Sequence, residues 1–112
     1  MQQPTLQLNT VIELLNASNN LALSHLFSNA HPADIADALE QLTPASRTSA
    51  WVHIPQSSKG EVLAELSEGV FKNLAHELDN QELVDAIKVL DIDELADLIP
   101  DLPEALLADV LF

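Results

Sequence analysis

Carboxylates are the side chains of this sequence whose number and spacing could do chemistry. Eleven of the 18 acidic residues fall between Glu77 and Asp109, where Lys88 is the one basic residue. Asp93 and Asp97 stand four positions apart, so a helix would place them on one face. Like charges at that spacing cost helix stability unless something neutralises them. Asp85, Asp97 and Asp109 follow one another at intervals of twelve residues. A divalent cation could neutralise such a surface. Magnesium is hard, prefers oxygen ligands and usually keeps several waters, so one helix face could supply half a site. An ordinary helix start also accounts for part of the pattern, because the dipole favours Asp91, Asp93 and Glu94 in a first turn. The pattern is not a calcium loop, which alternates its ligands around a central glycine.

Other chemistries find no support. His25, His31, His53 and His76 include no pair at i, i+4 and no compact spacing with aspartate, so they read as structural or surface residues. Cysteine is absent, which removes disulfides, thiolate zinc sites and cysteine nucleophiles. The serines lack a strand-to-helix elbow and a matching histidine base. Two glycines cannot build a phosphate loop. Arg47, Lys59, Lys72 and Lys88 form no basic patch that could follow DNA or RNA. The net charge of −14 would repel phosphate backbones and anionic membrane faces. It suits cations, a basic protein partner or simple solubility. Without a histidine or lysine partner for the carboxylates, no enzyme is expected. No apolar run approaches eighteen residues and no basic, apolar leader precedes the first helix, so this stretch is expected neither to cross a membrane nor to direct secretion.

The elements that must position the carboxylates show in the apolar residues, which recur every twelve positions. One column reads Leu15, Phe27, Leu39, Trp51, Leu63, Ala75, Ile87, Ile99 and Leu111. A second, three residues on, reads Leu42, Ile54, Leu66, Leu78, Leu90 and Leu102. A third, one residue before the first, reads Leu14, Leu26, Ala38, Ala50, Val62, Leu74, Ala86, Leu98 and Val110. A unit this short cannot close its own core and must stack on its neighbours. Leu83, Ala86, Ile87 and Leu90 follow helical spacing, and Leu95, Leu98, Ile99 and Leu102 repeat it. Short loops favour antiparallel neighbours. The sequence therefore predicts an all-α solenoid of short antiparallel helices with a twelve-residue period, armadillo- or HEAT-like. It forms a single helical domain over residues 1–112, with the repeat region at about 11–111.

Helices are expected at about 6–17, 20–28, 33–42, 45–54, 58–66, 69–78, 81–90, 93–99 and 104–111. Thr43 should cap a helix opening on Pro44. Asp79 with Glu82, and Asp91 with Glu94, read as capping boxes. Gly60 and Gly69 are expected near junctions or in weak early turns. Trp51 is expected to fill the centre of the stack, with Phe27 and Phe71 also in the core. The apolar end at Leu111 and Phe112 predicts a truncated chain.

The segment His31-Pro32-Ala33-Asp34-Ile35-Ala36-Asp37-Ala38-Leu39-Glu40-Gln41-Leu42 resembles the opening of the cytosolic N-terminal domain of MgtE-type magnesium transporters. Lys59-Gly60-Glu61-Val62-Leu63-Ala64-Glu65-Leu66 and Asp91-Ile92-Asp93-Glu94-Leu95-Ala96-Asp97 continue the likeness, which covers roughly residues 8–112. The resemblance implies a right-handed superhelical stack that precedes paired CBS domains and a transmembrane channel. It implies a magnesium-sensing domain that helps gate the channel through carboxylate-mediated bridging by Mg2+ to those CBS domains. The metal-facing residues it implies are Glu61, Asp93 and Asp97, all carboxylates in this sequence, forming a weak or partial Mg2+ site in the isolated domain. The implied partners are the CBS and transmembrane domains of the same homodimeric protein, at the cytoplasmic face of the bacterial inner membrane. No nucleic-acid partner is implied, nor insertion of this chain into the membrane. The alternative is a magnesium-independent helical protein-interaction module, related to the flagellar rotor protein FliG.

Overall fold

The twelve-residue interval reappears as the spacing of helix starts. The computed structural model describes residues 6–111, with side-chain environments for residues 6–107. Nine α-helices and one 3-10 turn occur among the described residues, and no strand. They are α1 (Leu8–Asn16), α2 (Asn20–Ser28), α3 (Pro32–Gln41), α4 (Pro44–Trp51) and α5 (Gln56–Glu65). Then follow α6 (Glu68–Glu77), α7 (Asn80–Ile87), α8 (Ile92–Leu98), the 3-10 turn Ile99–Asp101 and α9 (Glu104–Leu111). Each start lies twelve residues after the previous one. Helices α4 and α7 are shorter than the sequence predicts. The apolar residues at Ile54 and Leu90 sit in turns, where they still point into the core.

Capping explains several boundaries. The Thr43 hydroxyl accepts from the Ser46 N–H at 3.2 Å, and Asp79 accepts from the Glu82 N–H at 2.8 Å. Asn19 does the same for Ala22 at 3.3 Å. The box expected at Asp91 does not form, because its side chain makes no capping bond. Asp91 is exposed, so water can serve its carboxylate and the free first-turn N–H groups in place of a cap. Helix α1 ends with Ser18 at φ 54°. There the Asn19 N–H donates to Leu14 O and the Ser18 N–H to Leu15 O, the paired bonds that close a helix through a left-handed residue.

Packing runs between alternate helices. Helix α3 lies against α5, α5 against α7, and α7 against α9, while α1 reaches α3. On the other side α4 packs on α6, and α6 on the 3-10 turn. The core lies between these two rows. Phe27, Leu39, Trp51, Leu63, Ala75 and Ile87 of the first column are buried, with Leu15 and Ile99 partly so. Trp51 is fully buried at the centre, as expected, with Phe27 and Phe71 also inside. Val110, Leu111 and Asp109 lie outside the residues with described side chains, and Phe112 outside the described residues altogether.

The two glycines behave differently. Gly69 occupies the early turn of α6 foreseen for it, in open space. Gly60 does not mark a junction: it lies mid-way along α5 and is buried. A Cβ there would meet Ala86 O at 2.5 Å, Val89 Cγ2 at 2.9 Å and Leu90 Cγ at 3.2 Å. The residue is therefore glycine because α5 and the end of α7 approach too closely for any side chain.

Candidate metal site

Helix α5 carries Glu61 and helix α8 carries Asp93 and Asp97. These two helices pack on each other. All three carboxylates are exposed. The amphipathic pattern requires this: Val62 and Leu63 on α5 and Leu98 on α8 enter the core, so the neighbouring acidic positions turn to solvent. The fold thus brings an α5 carboxylate and an α8 pair onto adjoining helices that are separated by two whole helices in sequence.

The local electrostatics leave these carboxylates uncompensated. Among the described residues no ion pair involves Glu61, Asp93 or Asp97. Lys72 is engaged by Glu68 at 2.8 Å and Asp101 at 3.6 Å. Lys59 lies over the Trp51 ring, 5.2 Å from its centroid. Desolvation draws its pKa down, and the Glu82 carboxylate partly opposes that effect. Arg47 is turned into the protein. Asp85, which shares the twelve-residue register with Asp97, differs from it in accepting a bond from Gln81 Nε2 at 2.8 Å.

The donor set suits a hard cation, and it is incomplete. Exposed carboxylate oxygens fit magnesium, which retains water in the positions a protein does not fill. Among the described residues, however, no three His, Asp or Glu side chains converge as a group that could hold a metal ion. Glu61, Asp93 and Asp97 therefore offer at most part of a coordination shell. A depression of about 420 Å³ opens elsewhere, lined by Pro44, Ala45, Thr48, Ser49 and Glu77, and contains none of the three. Its single carboxylate and a Thr48 hydroxyl already donating to Pro44 O make a poor ligand set. The histidines gather no ligand group: His53 meets Ser24 and His25 meets Asn29, each at 3.5 Å.

Sequence reasoning missed a buried polar lock between α3 and α6. Arg47 is 6% exposed. Its Nε donates to Leu39 O at 2.8 Å, its Nη2 to Leu42 O at 3.1 Å and its Nη1 to Asn73 Oδ1 at 3.1 Å. The guanidinium thereby satisfies carbonyls at the end of α3 and ties that end to α6. Glu40 adds a second tie, accepting from the Ser67 N–H at 2.7 Å where α6 begins. Hydrogen bonding from Ser67, first its side chain and then this N–H, helped by the Arg47 charge, holds the Glu40 pKa below the ordinary glutamate value. A signal for both basic residues was available. Leu23, Ile35, Arg47, Lys59, Phe71, Leu83 and Leu95 form a fourth twelve-residue column, in which two cations replace apolar side chains.

Comparison with known proteins adds one match. The family model described as the MgtE intracellular N domain matches residues 30–111. No curated protein matches the chain. No helix among the described residues is long and apolar enough to cross a membrane.

Proposed function

Because the chain belongs to the family of MgtE intracellular N domains, we propose that it is a magnesium-sensing regulatory domain that helps gate a magnesium channel. The observation that carries this reading is the set of exposed, unpaired carboxylates on two touching helices, Glu61 on α5 with Asp93 and Asp97 on α8. They would supply oxygen ligands from one side, with the remaining ligands coming from water and from CBS domains of the same full-length protein. Bound magnesium supplies positive charge between two acidic surfaces that otherwise repel. The carboxylates regulate only if they hold the ion more tightly in one conformation of the whole protein than in the other. The same reading includes a right-handed superhelical solenoid, supported by the regular helix starts and the alternate-helix packing. It also includes a transmembrane partner domain and a homodimeric parent at the cytoplasmic face of a membrane.

A magnesium titration followed by amide NMR tests it, with potassium chloride at matched ionic strength as the reference. Shifts centred on Glu61, Asp93 and Asp97 are expected, and they should vanish when Asp93→Ala and Asp97→Ala are combined while the helical spectrum is kept. Small uniform shifts, equal in both salts, would indicate screening alone and overturn the reading.

Val89 and Ile92 favour a second reading, a magnesium-independent protein-interaction module. They are 57% and 85% exposed, where the preceding three units carry His53, Glu65 and Glu77, and Gln56, Glu68 and Asn80 at the equivalent positions. Partner capture that is unchanged by magnesium and lost in Val89→Ser with Ile92→Ser would favour this module over the sensor.

A further inference from the structure

Ile92 and Val89 depart from the repeat in a way the fold does not use. Ile92 opens α8, whereas α5, α6 and α7 open on Gln56, Glu68 and Asn80, all exposed and polar. Packing does not ask for an aliphatic side chain there, since 85% of Ile92 faces solvent. Val89, in the turn just before, replaces His53, Glu65 and Glu77 of the preceding units and is also exposed. The other exposed large apolar side chains among the described residues, Ile12, Leu21 and Val52, stand singly, which is ordinary for a protein surface. Two on one turn make a patch. Val89 is also held in place. Its Cγ2 lies so near Gly60 that a Cβ on the glycine would come within 2.9 Å of it. An anchor already seated against α5 loses little freedom when a partner covers its open side.

The surface around this patch is negative. Asp91 and Asp93 flank Ile92, Asp97 lies a turn further along α8, and Glu61 follows Gly60, all four exposed. Among the described residues none of them is in an ion pair. Lys88 is the exposed cation beside Val89, and Lys59 is held over the Trp51 ring. We propose that Val89 and Ile92, inside this acidic surround, form a docking surface for a basic amphipathic helix of a partner protein. The proposal rests on the protein-interaction reading of these two residues. Charge and backbone select the occupant. A second copy would bring like acidic surfaces together in a chain of net charge −14, and nucleic acids or anionic lipids are repelled in the same way. No strand among the described residues offers an edge to an extended peptide. A helix with aliphatic side chains on one face and Lys or Arg beside them matches both the patch and its surround. The carboxylates act through their summed field, so no coordination geometry is asked of them.

The test measures binding of a labelled amphipathic peptide of leucine and lysine, about 18 residues long, by fluorescence anisotropy with the full chain in magnesium-free buffer. One comparison peptide replaces every lysine by glutamine, and another scrambles the order so that the apolar face is lost. The leucine–lysine helix is expected to bind and to shift the Val89 and Ile92 amides in NMR spectra. Val89→Ser with Ile92→Ser should weaken it on the order of tenfold, as truncating central anchors does. The glutamine peptide should bind more weakly by a similar factor, on the order of tenfold, and added salt should narrow that gap. Leu21→Ser, on α2, removes an exposed aliphatic side chain elsewhere and should leave binding unchanged. Should circular dichroism show the double variant unfolded, Ile92→Ser alone carries the test. Equal binding of the glutamine peptide, still weakened by the serine substitutions, overturns the basic partner and leaves the protein-interaction reading standing. Equal binding of the scrambled peptide, or binding indifferent to the serine substitutions, is charge attraction alone and overturns the proposal. Failure of both helices to bind overturns it as well, whereas the reading beneath it falls by its own test, partner capture that survives both substitutions.

Discussion

Replacing Arg47 should cost this domain more than any surface change. The guanidinium is 6% exposed and makes three hydrogen bonds, to Leu39 O, Leu42 O and Asn73 Oδ1, at 2.8–3.1 Å. Two of those partners are carbonyls at the end of α3: Leu39 O also accepts from the Leu42 N–H at 3.2 Å, whereas Leu42 O depends on Arg47. Arg47→Leu keeps apolar bulk in a column that, Lys59 apart, holds Leu23, Ile35, Phe71, Leu83 and Leu95, so packing loss is small. What remains is the loss of charge-assisted bonds and the orphaning of one carbonyl, Leu42 O, about 1–3 kcal/mol for a buried group left unsatisfied. Some of that returns if water reaches this carbonyl. We expect Arg47→Leu to lose about 2–3 kcal/mol and Arg47→Ala, which adds a cavity, about 3–5 kcal/mol. Domains of this kind hold only about 5–15 kcal/mol in total, so Arg47→Ala should be close to unfolding. Urea denaturation followed by Trp51 emission and by circular dichroism measures both, and Asn73→Ala should cost about 1 kcal/mol. An Arg47→Leu protein as stable as the native one would refute this reasoning. It would show that the apolar column accepts a hydrophobe there at no loss, as happens for some buried charges.

Acid should weaken the tie between α3 and α6. The folded-state pKa of Glu40 is lowered, so its contribution is present above the unfolded-state value and is lost as pH falls through the folded value. Thermal melts across the acid range should show a shallower decline in Glu40→Gln, and identical profiles would remove Glu40 from the explanation. The two aspartates that begin α7 and α8 should also part company. Asp79→Ala removes a real cap and is expected to cost about 1 kcal/mol, whereas Asp91→Ala, which breaks no capping bond, should cost less than about 0.5 kcal/mol in chemical denaturation.

Burial of Phe27, Leu39, Trp51 and Leu63 was legible because a helix repeats its environment at fixed spacing, and each unit meets the same neighbours. Gly60 was not legible. Glycine in a sequence signals a turn as readily as a close approach, and only the position of α7 distinguishes them. Arg47 escaped for the converse reason. Its column predicts burial, but the carbonyls that make burial tolerable belong to α3. At the candidate site, Asp93 and Asp97 could be paired from spacing on one helix. Glu61 could be joined to them only through family resemblance, because its neighbourhood depends on α5 meeting α8. The capping box at Asp91 failed because the motif records residue types only, and an exposed carboxylate can stay in water instead of folding back on the helix end.

Packing between alternate helices also has a kinetic meaning. A helix meets its main partner two units along the chain, so the loops that must close during folding stay short throughout the described residues. Chains dominated by such near-sequence contacts fold on the microsecond-to-millisecond scale. No end of the structure has to wait for a distant end to arrive. Order can start at the Trp51–Leu63 centre and spread outward in either direction, one helix at a time.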